Sequence, residues 1–110
     1  MMLDLFNAIY NNSQEKVKVL VYNEESESNI KFIVPGLEKE DISIKVDEDI
    51  LKVTGVNKKD SEIITPDFSR KFELLNKFNT GKITAQLKDG VLVIKLPLKE
   101  GVEGKQIEID

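Results

Sequence analysis

The stretch of residues 83–97, ITAQLKDGVLVIKLP, contains two apolar runs joined by one strong turn signal. Before the turn, apolar residues such as Ala85 and Leu87 alternate with polar ones, and a run rich in valine and isoleucine follows it. The dipeptide between the runs, Asp89-Gly90, favours a two-residue turn with positive φ. Because proline cannot donate to a strand ladder, Pro97 ends the second run. The stretch therefore predicts a β-hairpin.

The alternation of apolar and polar residues continues upstream and predicts several further strands. Alternating or short apolar runs occupy segments 17–21, 30–34, 42–46, 51–53 and 68–75. Charged and turn-forming residues separate neighbouring segments, as at 23–26 and 47–49. Between residues 56 and 67, Ile63-Ile64-Thr65 suggests a short strand, and Pro66 restricts it to a sheet edge. Six or seven short strands with almost no helix are typical of an all-β sandwich.

The composition places the chain among single-domain globular proteins. Its 110 residues suit one domain, and 40% apolar with 33% charged residues is ordinary for that class. No apolar run approaches the length that spans a bilayer, and the N-terminus lacks the basic and apolar regions of a secretory signal. The chain has no cysteine and hence no disulfide framework. These features predict a cytoplasmic protein without a membrane partner.

The residue types that are missing exclude several kinds of chemistry. With no histidine and no cysteine, the chain has neither a histidine base nor a thiol nucleophile. No phosphate-binding glycine loop occurs, and the acidic run Asp47-Glu48-Asp49 lacks the spacing and central glycine of an EF-hand. The net charge of −4, with no basic stripe, argues against a nucleic-acid partner. We therefore expect no enzyme, no cofactor and no metal site.

The first sixteen residues do not share the strand pattern. Apolar side chains recur there at roughly helical spacing, at Leu5, Phe6, Ile9 and Tyr10. One interpretation is a short helix that packs on the domain or frays in solvent. The other interpretation is an arm that engages other polypeptide chains.

The C-terminal end combines a polar linker with an apolar tip. Residues 98–106, LKEGVEGKQ, are polar with two glycines and predict a flexible linker. Ile107 and Ile109 then place two apolar side chains on one face of an extended tip. The tip either folds back as the last strand of its own domain or adds as a strand to another subunit.

Three motifs, in this order, resemble those of one protein family. Val34-Pro35-Gly36-Leu37 with Glu40-Asp41-Ile42 is the first motif. Ala85 followed by Gly90-Val91-Leu92 is the second, and Ile107-Glu108-Ile109 is the third. Their order and spacing resemble the α-crystallin domain of small heat shock proteins over about residues 17–110.

The resemblance implies an immunoglobulin-like β-sandwich at residues 17–97, a short N-terminal arm at 1–16 and a C-terminal extension at 98–110. It also implies a stress-response chaperone that holds unfolding client proteins without ATP and assembles into dimers and higher homo-oligomers. A co-chaperone or protein-interaction domain of the related p23 type is the alternative, since it shares the sandwich but needs no apolar tip. An enzyme or a calcium-dependent binding module on a β-sandwich is a more distant alternative.

The same resemblance implies roles for individual residues in assembly and client binding. The tip residues Ile107 and Ile109 are expected to dock into a neighbouring subunit, between the strands at 42–46 and 83–87. The expected lining of this groove is Ile44, Val46, Ala85 and Leu87. The residues expected at a dimer contact are Phe68 and Arg70, from the run Phe68-Ser69-Arg70-Lys71-Phe72. The arm residues expected to bind clients are Leu5, Phe6, Ile9 and Tyr10.

Overall fold

The structure is a computed structural model that describes residues 17–58, 65–101 and 107–109. Within those ranges the chain forms seven β-strands and two short 3-10 turns. The strands are β1 (Lys18–Asn23), β2 (Glu27–Ile33), β3 (Ile42–Asp47), β4 (Ile50–Gly55), β5 (Phe68–Glu73), β6 (Thr84–Lys88) and β7 (Val91–Pro97). The 3-10 turns are Lys39–Asp41 and Thr80–Lys82.

The strands form two antiparallel sheets that share one core. The larger sheet has the order β1-β2-β7-β6, and the smaller one has the order β3-β4-β5. Alternation along each strand directs one set of side chains inward, as with Ile30 and Phe32 in β2 or Leu51 and Val53 in β4. This arrangement confirms the all-β sandwich that the spacing of apolar residues predicts.

The hairpin between β6 and β7 has the geometry that its sequence predicts. Asp89 and Gly90 have φ angles of 52° and 79°, as a two-residue hairpin turn requires. The Gly90 carbonyl accepts a hydrogen bond of 2.7 Å from the Val34 amide, so the turn also fixes the chain after β2. A Cβ atom at position 90 would lie 3.1 Å from Cα of Pro35, and this crowding adds to the requirement for glycine.

Three phenylalanines join the two sheets at the centre of the core. The Phe32 ring from β2 stacks on Phe68 from β5, with 5.4 Å between the ring centroids. Phe72 meets Phe32 edge-on at 6.1 Å. Gly55 of β4 stands opposite Phe68 in the ladder, and a Cβ atom at Gly55 would lie only 2.2 Å from that ring. The absence of a side chain at Gly55 therefore makes room for Phe68.

The two ends of the segment 56–67 are tied to each other and to the body. The Asn57 amide donates to the Asp67 carboxylate at 2.8 Å, and the Asn57 side chain donates to the Thr65 carbonyl at 3.0 Å. Thr65 is buried, and its hydroxyl donates to the Pro35 carbonyl at 2.6 Å. The edge strand predicted at 63–65 falls mostly on residues 63 and 64, which lie outside the described residues.

Ordered contacts continue past the predicted end of the domain at residue 97. Leu98 forms a β-bridge with Phe78 and packs against the core, and the Lys99 amide donates to the Lys77 carbonyl at 2.9 Å. The prediction of a flexible linker from residue 98 is therefore wrong for its first two residues. The arm at 1–16 and residues 102–106 lie outside the described residues.

Candidate assembly site

The two sheets leave an open groove where an edge strand of each comes together. Among the described residues, β3 pairs only with β4, and β6 pairs only with β7, so each strand has one edge without a ladder partner. Such edges offer free backbone groups to an additional strand. The groove lies between β3 and β6 because residues of both strands line it.

The groove is lined by apolar side chains together with two polar ones. It encloses about 460 Å³. The residues that line it are Lys39, Ile42, Ile44, Ala85, Gln86, Leu87 and Leu92. Leu92 of β7 is 3% exposed, whereas Ile42, Ile44 and Leu87 are only partly buried and pack against the core. The partly buried side chains therefore present apolar surface that a docked segment could cover.

The structure brings together three of the four residues predicted for this groove. Ile44, Ala85 and Leu87 all line it. Val46, at the far end of β3, lies outside it and instead lines a neighbouring cavity with Phe78 and Lys99. The two-residue repeat thus gives a shared strand face for Ile44 and Val46, but it does not give the extent of the groove.

Sequence reasoning missed four groove residues. Ile42 follows from the alternation of β3, since it lies two residues before Ile44 on the same face. Leu92 follows from the hairpin register, because it pairs directly with Leu87. Lys39, in a 3-10 turn, and Gln86, on the opposite face of β6 from Leu87, carry no such signal. The apolar lining was thus readable from the pattern, and the polar rim was not.

The C-terminal tip is not a strand of the domain that carries it. Ile107 is 82% exposed and Ile109 is 97% exposed, and residues 107–109 have no strand assignment. These three residues therefore disagree with the interpretation in which the tip folds back onto its own sheet. Two exposed isoleucines with one residue between them present a narrow apolar face suited to burial against a partner.

The strand predicted at a dimer contact, β5, is an edge strand among the described residues. Phe68, predicted at the dimer contact, is 4% exposed, and its side chain packs in the core. Arg70 shares the inward face with Phe68 and Phe72, and its guanidinium carbon lies 5.9 Å from the Phe72 ring centroid. A dimer contact at this strand stays a prediction from the sequence.

The described residues show no cluster of three or more acidic side chains suited to holding a metal ion. No helix in the described part of the chain has both the length and the apolar character needed to cross a bilayer. The groove between β3 and β6 is the candidate site, because its lining includes residues that the sequence predicts.

Comparison with known sequences places most of the chain in one family. The sequence model of the "Hsp20/alpha crystallin family" matches residues 20–110. Small heat shock protein C4 of Rickettsia felis is 33% identical over an alignment of 110 positions. That alignment covers 91% of this chain and 68% of that protein. A chloroplastic small heat shock protein of Solanum lycopersicum is 32% identical over 97 residues. That match covers 81% of this chain but only 41% of the tomato protein.

Solved structures show the same fold. A small heat-shock protein from Xylella fastidiosa superposes with a TM-score of 0.72 at 25% identity, covering 89% of this chain and 99% of that one. Heat shock protein 16.0 from Schizosaccharomyces pombe gives 0.69 at 24% identity, covering 96% and 85% of the two chains. The family model, the related sequences and the shared fold all lead to the same conclusion. The chain belongs to the Hsp20/alpha crystallin family of small heat shock proteins, whose general role is that of a chaperone.

Proposed function

We propose that this protein is an ATP-independent holding chaperone whose assembly hides and releases apolar surface. The observation that carries the proposal is the pairing of an open apolar groove with two exposed isoleucines on the same chain. Holding a client protein needs no catalytic group. It needs apolar surface that is covered in one state and available in another.

The tip fits the groove by strand addition. An extended segment that pairs with the free edge of β3 or β6 directs every second side chain the same way. Ile107 and Ile109 then point together into the groove, toward the apolar side chains of Ile42, Ile44 and Leu87. Glu108 points away from the floor and stays in solvent. The tip and the groove belong to different subunits in this proposal, so that docking links one copy to the next.

The energy of one docked tip is small, and this makes the assembly reversible. Burying two isoleucines contributes roughly 3–6 kcal/mol. Fixing residues 107–109 costs about 1–2 kcal/mol each, which nearly cancels that gain. A dimer carries two tips, and docking of the first raises the effective concentration of the second. Dilution or heating therefore loosens the assembly and uncovers the groove.

The proposal also includes a dimer contact and a client-binding arm. The dimer is proposed to form through the outer edge of β5, where Arg70 stands beside Phe72. The arm at residues 1–16 is proposed to bind clients through Leu5, Phe6, Ile9 and Tyr10. Both remain predictions from the sequence, as does a cytoplasmic location.

The test replaces Ile107 and Ile109 together by glycine. The variant should keep the circular dichroism spectrum of the parent, while light scattering shows a fall from the assembly mass to that of a dimer. The parent should suppress the turbidity of a heat-labile client at stoichiometric amounts without nucleotide. Glu108→Gly is the matched control, because the same segment gains flexibility while both isoleucines remain. The control should keep most of the assembly mass.

Several outcomes would contradict the proposal. A double variant with the parent mass would show that the tip does not link subunits. A double variant that unfolds would show that the tip is part of its own domain. Client aggregation that is unchanged by the parent would remove the holding function. A monomeric parent without holding activity would instead favour the co-chaperone alternative.

A further inference from the structure

The outer face of the three-stranded sheet carries an unusual row of charge. In the ladders, Lys45 of β3 stands opposite Lys52 of β4, and Lys52 stands opposite Lys71 of β5. All three side chains are exposed, because their strand neighbours Leu51, Val53 and Phe72 point into the core. The row thus crosses the whole sheet, and it contains no acidic residue.

Like charges placed directly opposite each other on one sheet face destabilise the pairing. The cross-strand Cβ separation of about 5 Å leaves two repulsive contacts at Lys52, the central member of the row. A local arrangement that opposes folding is expected where function requires it. The row is therefore a candidate for recognition of negative charge.

The two neighbouring rows define how wide the basic strip is. The row on one side contains hydroxyl side chains, those of Ser43, Thr54 and Ser69. The row on the other side contains Asp47, Ile50 and Glu73. Strands lie about 4.8 Å apart, so the three lysines span about 10 Å. The positive strip is therefore short, one row wide, and bounded by two carboxylates on one side.

We propose that this row, Lys45, Lys52 and Lys71, binds an acidic stretch of an unfolded polypeptide. Carboxylates on one face of an extended segment repeat about every 7 Å, so two of them reach the three ammonium groups. A continuous phosphate polyanion or an anionic membrane surface would extend over Asp47 and Glu73, and these carboxylates would repel it. The net charge of −4 on the chain would repel it as well. A short acidic stretch can bind the row without reaching Asp47 and Glu73, and its few charges are repelled less by the net charge of the chain.

The inference rests on the proposed holding function in one respect, which is that the acidic stretch belongs to a client. It adds a second class of contact to that function, because the groove between β3 and β6 is apolar and the lysine row is charged. The row lies on the outer face of β3, and the groove lies at its inner face. A client can therefore meet the row without displacing a docked tip.

The experiment measures fluorescence anisotropy of a labelled peptide of alternating glutamate and serine, added to the full chain. Changing Lys45, Lys52 and Lys71 together to glutamine should weaken its binding by about tenfold or more, and added salt should weaken binding to the parent. The triple variant should melt at the same temperature as the parent or higher, since repulsion is removed. Changing all three lysines to arginine should keep the binding.

The matched control removes three exposed lysines from the outer face of the other sheet. Lys18, Lys88 and Lys95 changed to glutamine alter the net charge equally, and this variant should bind the peptide nearly as the parent does. Equal loss in both glutamine variants would overturn the proposal, because net charge would explain it. Equal binding of a glutamine-serine peptide would also overturn it, as would stronger binding of a single-stranded oligonucleotide or anionic vesicle through the same lysines.

The peptide experiment and the holding experiment separate the two proposals. A parent that fails to bind the acidic peptide but still suppresses client turbidity removes the lysine row and leaves the holding function. A parent that binds the peptide through the row but does not suppress turbidity supports the row and removes the holding function. The tip variant keeps the row, so it should bind the peptide as the parent does.

Discussion

At the scale of single residues, Gly55 controls whether the aromatic core can close. A methyl group at this position would lie 2.2 Å from the Phe68 ring, which itself stacks on Phe32. Gly55→Ala should therefore lower the free energy of unfolding by about 1–3 kcal/mol, because overpacking forces the ring or the backbone to move. Urea unfolding at one fixed protein concentration measures the change.

Gly81→Ala is the matched control for this prediction. Its added Cβ atom would lie 3.6 Å from the Asn79 side chain, an ordinary contact, so its stability should change by less than about 0.5 kcal/mol. Equal stability of the Gly55→Ala variant and the parent would show that the Phe68 ring has room to move.

Residue identities explain why part of the site was predictable and part was not. The alternation of Phe68, Arg70 and Phe72 shows that they share a face, but it does not tell which face meets the core. Phe68 was named at a dimer contact from the resemblance of residues 68–72 to a family motif, and the structure shows its side chain in the interior. Ile44, Ala85 and Leu87 were named from motifs that resemble a known family, and the structure places all three along one groove because a two-residue repeat directs them to one side.

At the scale of elements, the β6–β7 and β3–β4 turns are stabilised by different interactions. The β6–β7 turn contains Asp89-Gly90 and follows from local turn chemistry, which is why the sequence predicts it well. The β3–β4 turn instead has Glu48 and Asp49 at φ angles of 48° and 66° without a glycine. The sequence predicts a turn there, but the contacts that hold it come from residues distant in the chain.

Those contacts join the β3–β4 turn to the loop after β5. The Asp49 carboxylate accepts a hydrogen bond from the Asn76 amide, and the Asp49 carbonyl accepts one of 2.9 Å from the Leu74 amide. Asp49→Ala should lower the free energy of unfolding by about 1–2 kcal/mol, because the Asn76 amide loses a charged acceptor. Thermal or urea unfolding gives the value.

Glu48→Ala is the matched control, since it removes the same charge from the same turn at a similar φ. It should cost less than Asp49→Ala. Asp49→Asn should recover part of the loss, because an amide oxygen still accepts the hydrogen bond and asparagine tolerates positive φ. Equal losses for the two alanine variants would mean that backbone strain, and not the bond to Asn76, sets the stability of this turn.

At the scale of the whole molecule, the described residues form a core that joins the two sheets. Its buried apolar residues run from Val17 to Leu96, with Leu98 packed against them, and both sheets contribute. Deleting residues 1–14 should therefore shift the melting temperature by less than about 4 °C, which corresponds to about 1 kcal/mol in a domain of this size. Protection of a heat-labile client should fall, because we expect the apolar side chains of residues 1–14 to bind clients.

The comparison that decides this prediction uses the arm deletion, the Ile107 and Ile109 double-glycine variant, and both changes combined. If the arm binds clients and the tip links subunits, the deletion lowers protection in assemblies and in dimers alike. If the arm only supports assembly, the deletion adds nothing once the tip has been changed. A large fall in the melting temperature after deletion of residues 1–14 would show instead that the arm packs as part of the domain, and the assignment of client binding to Leu5, Phe6, Ile9 and Tyr10 would then fail.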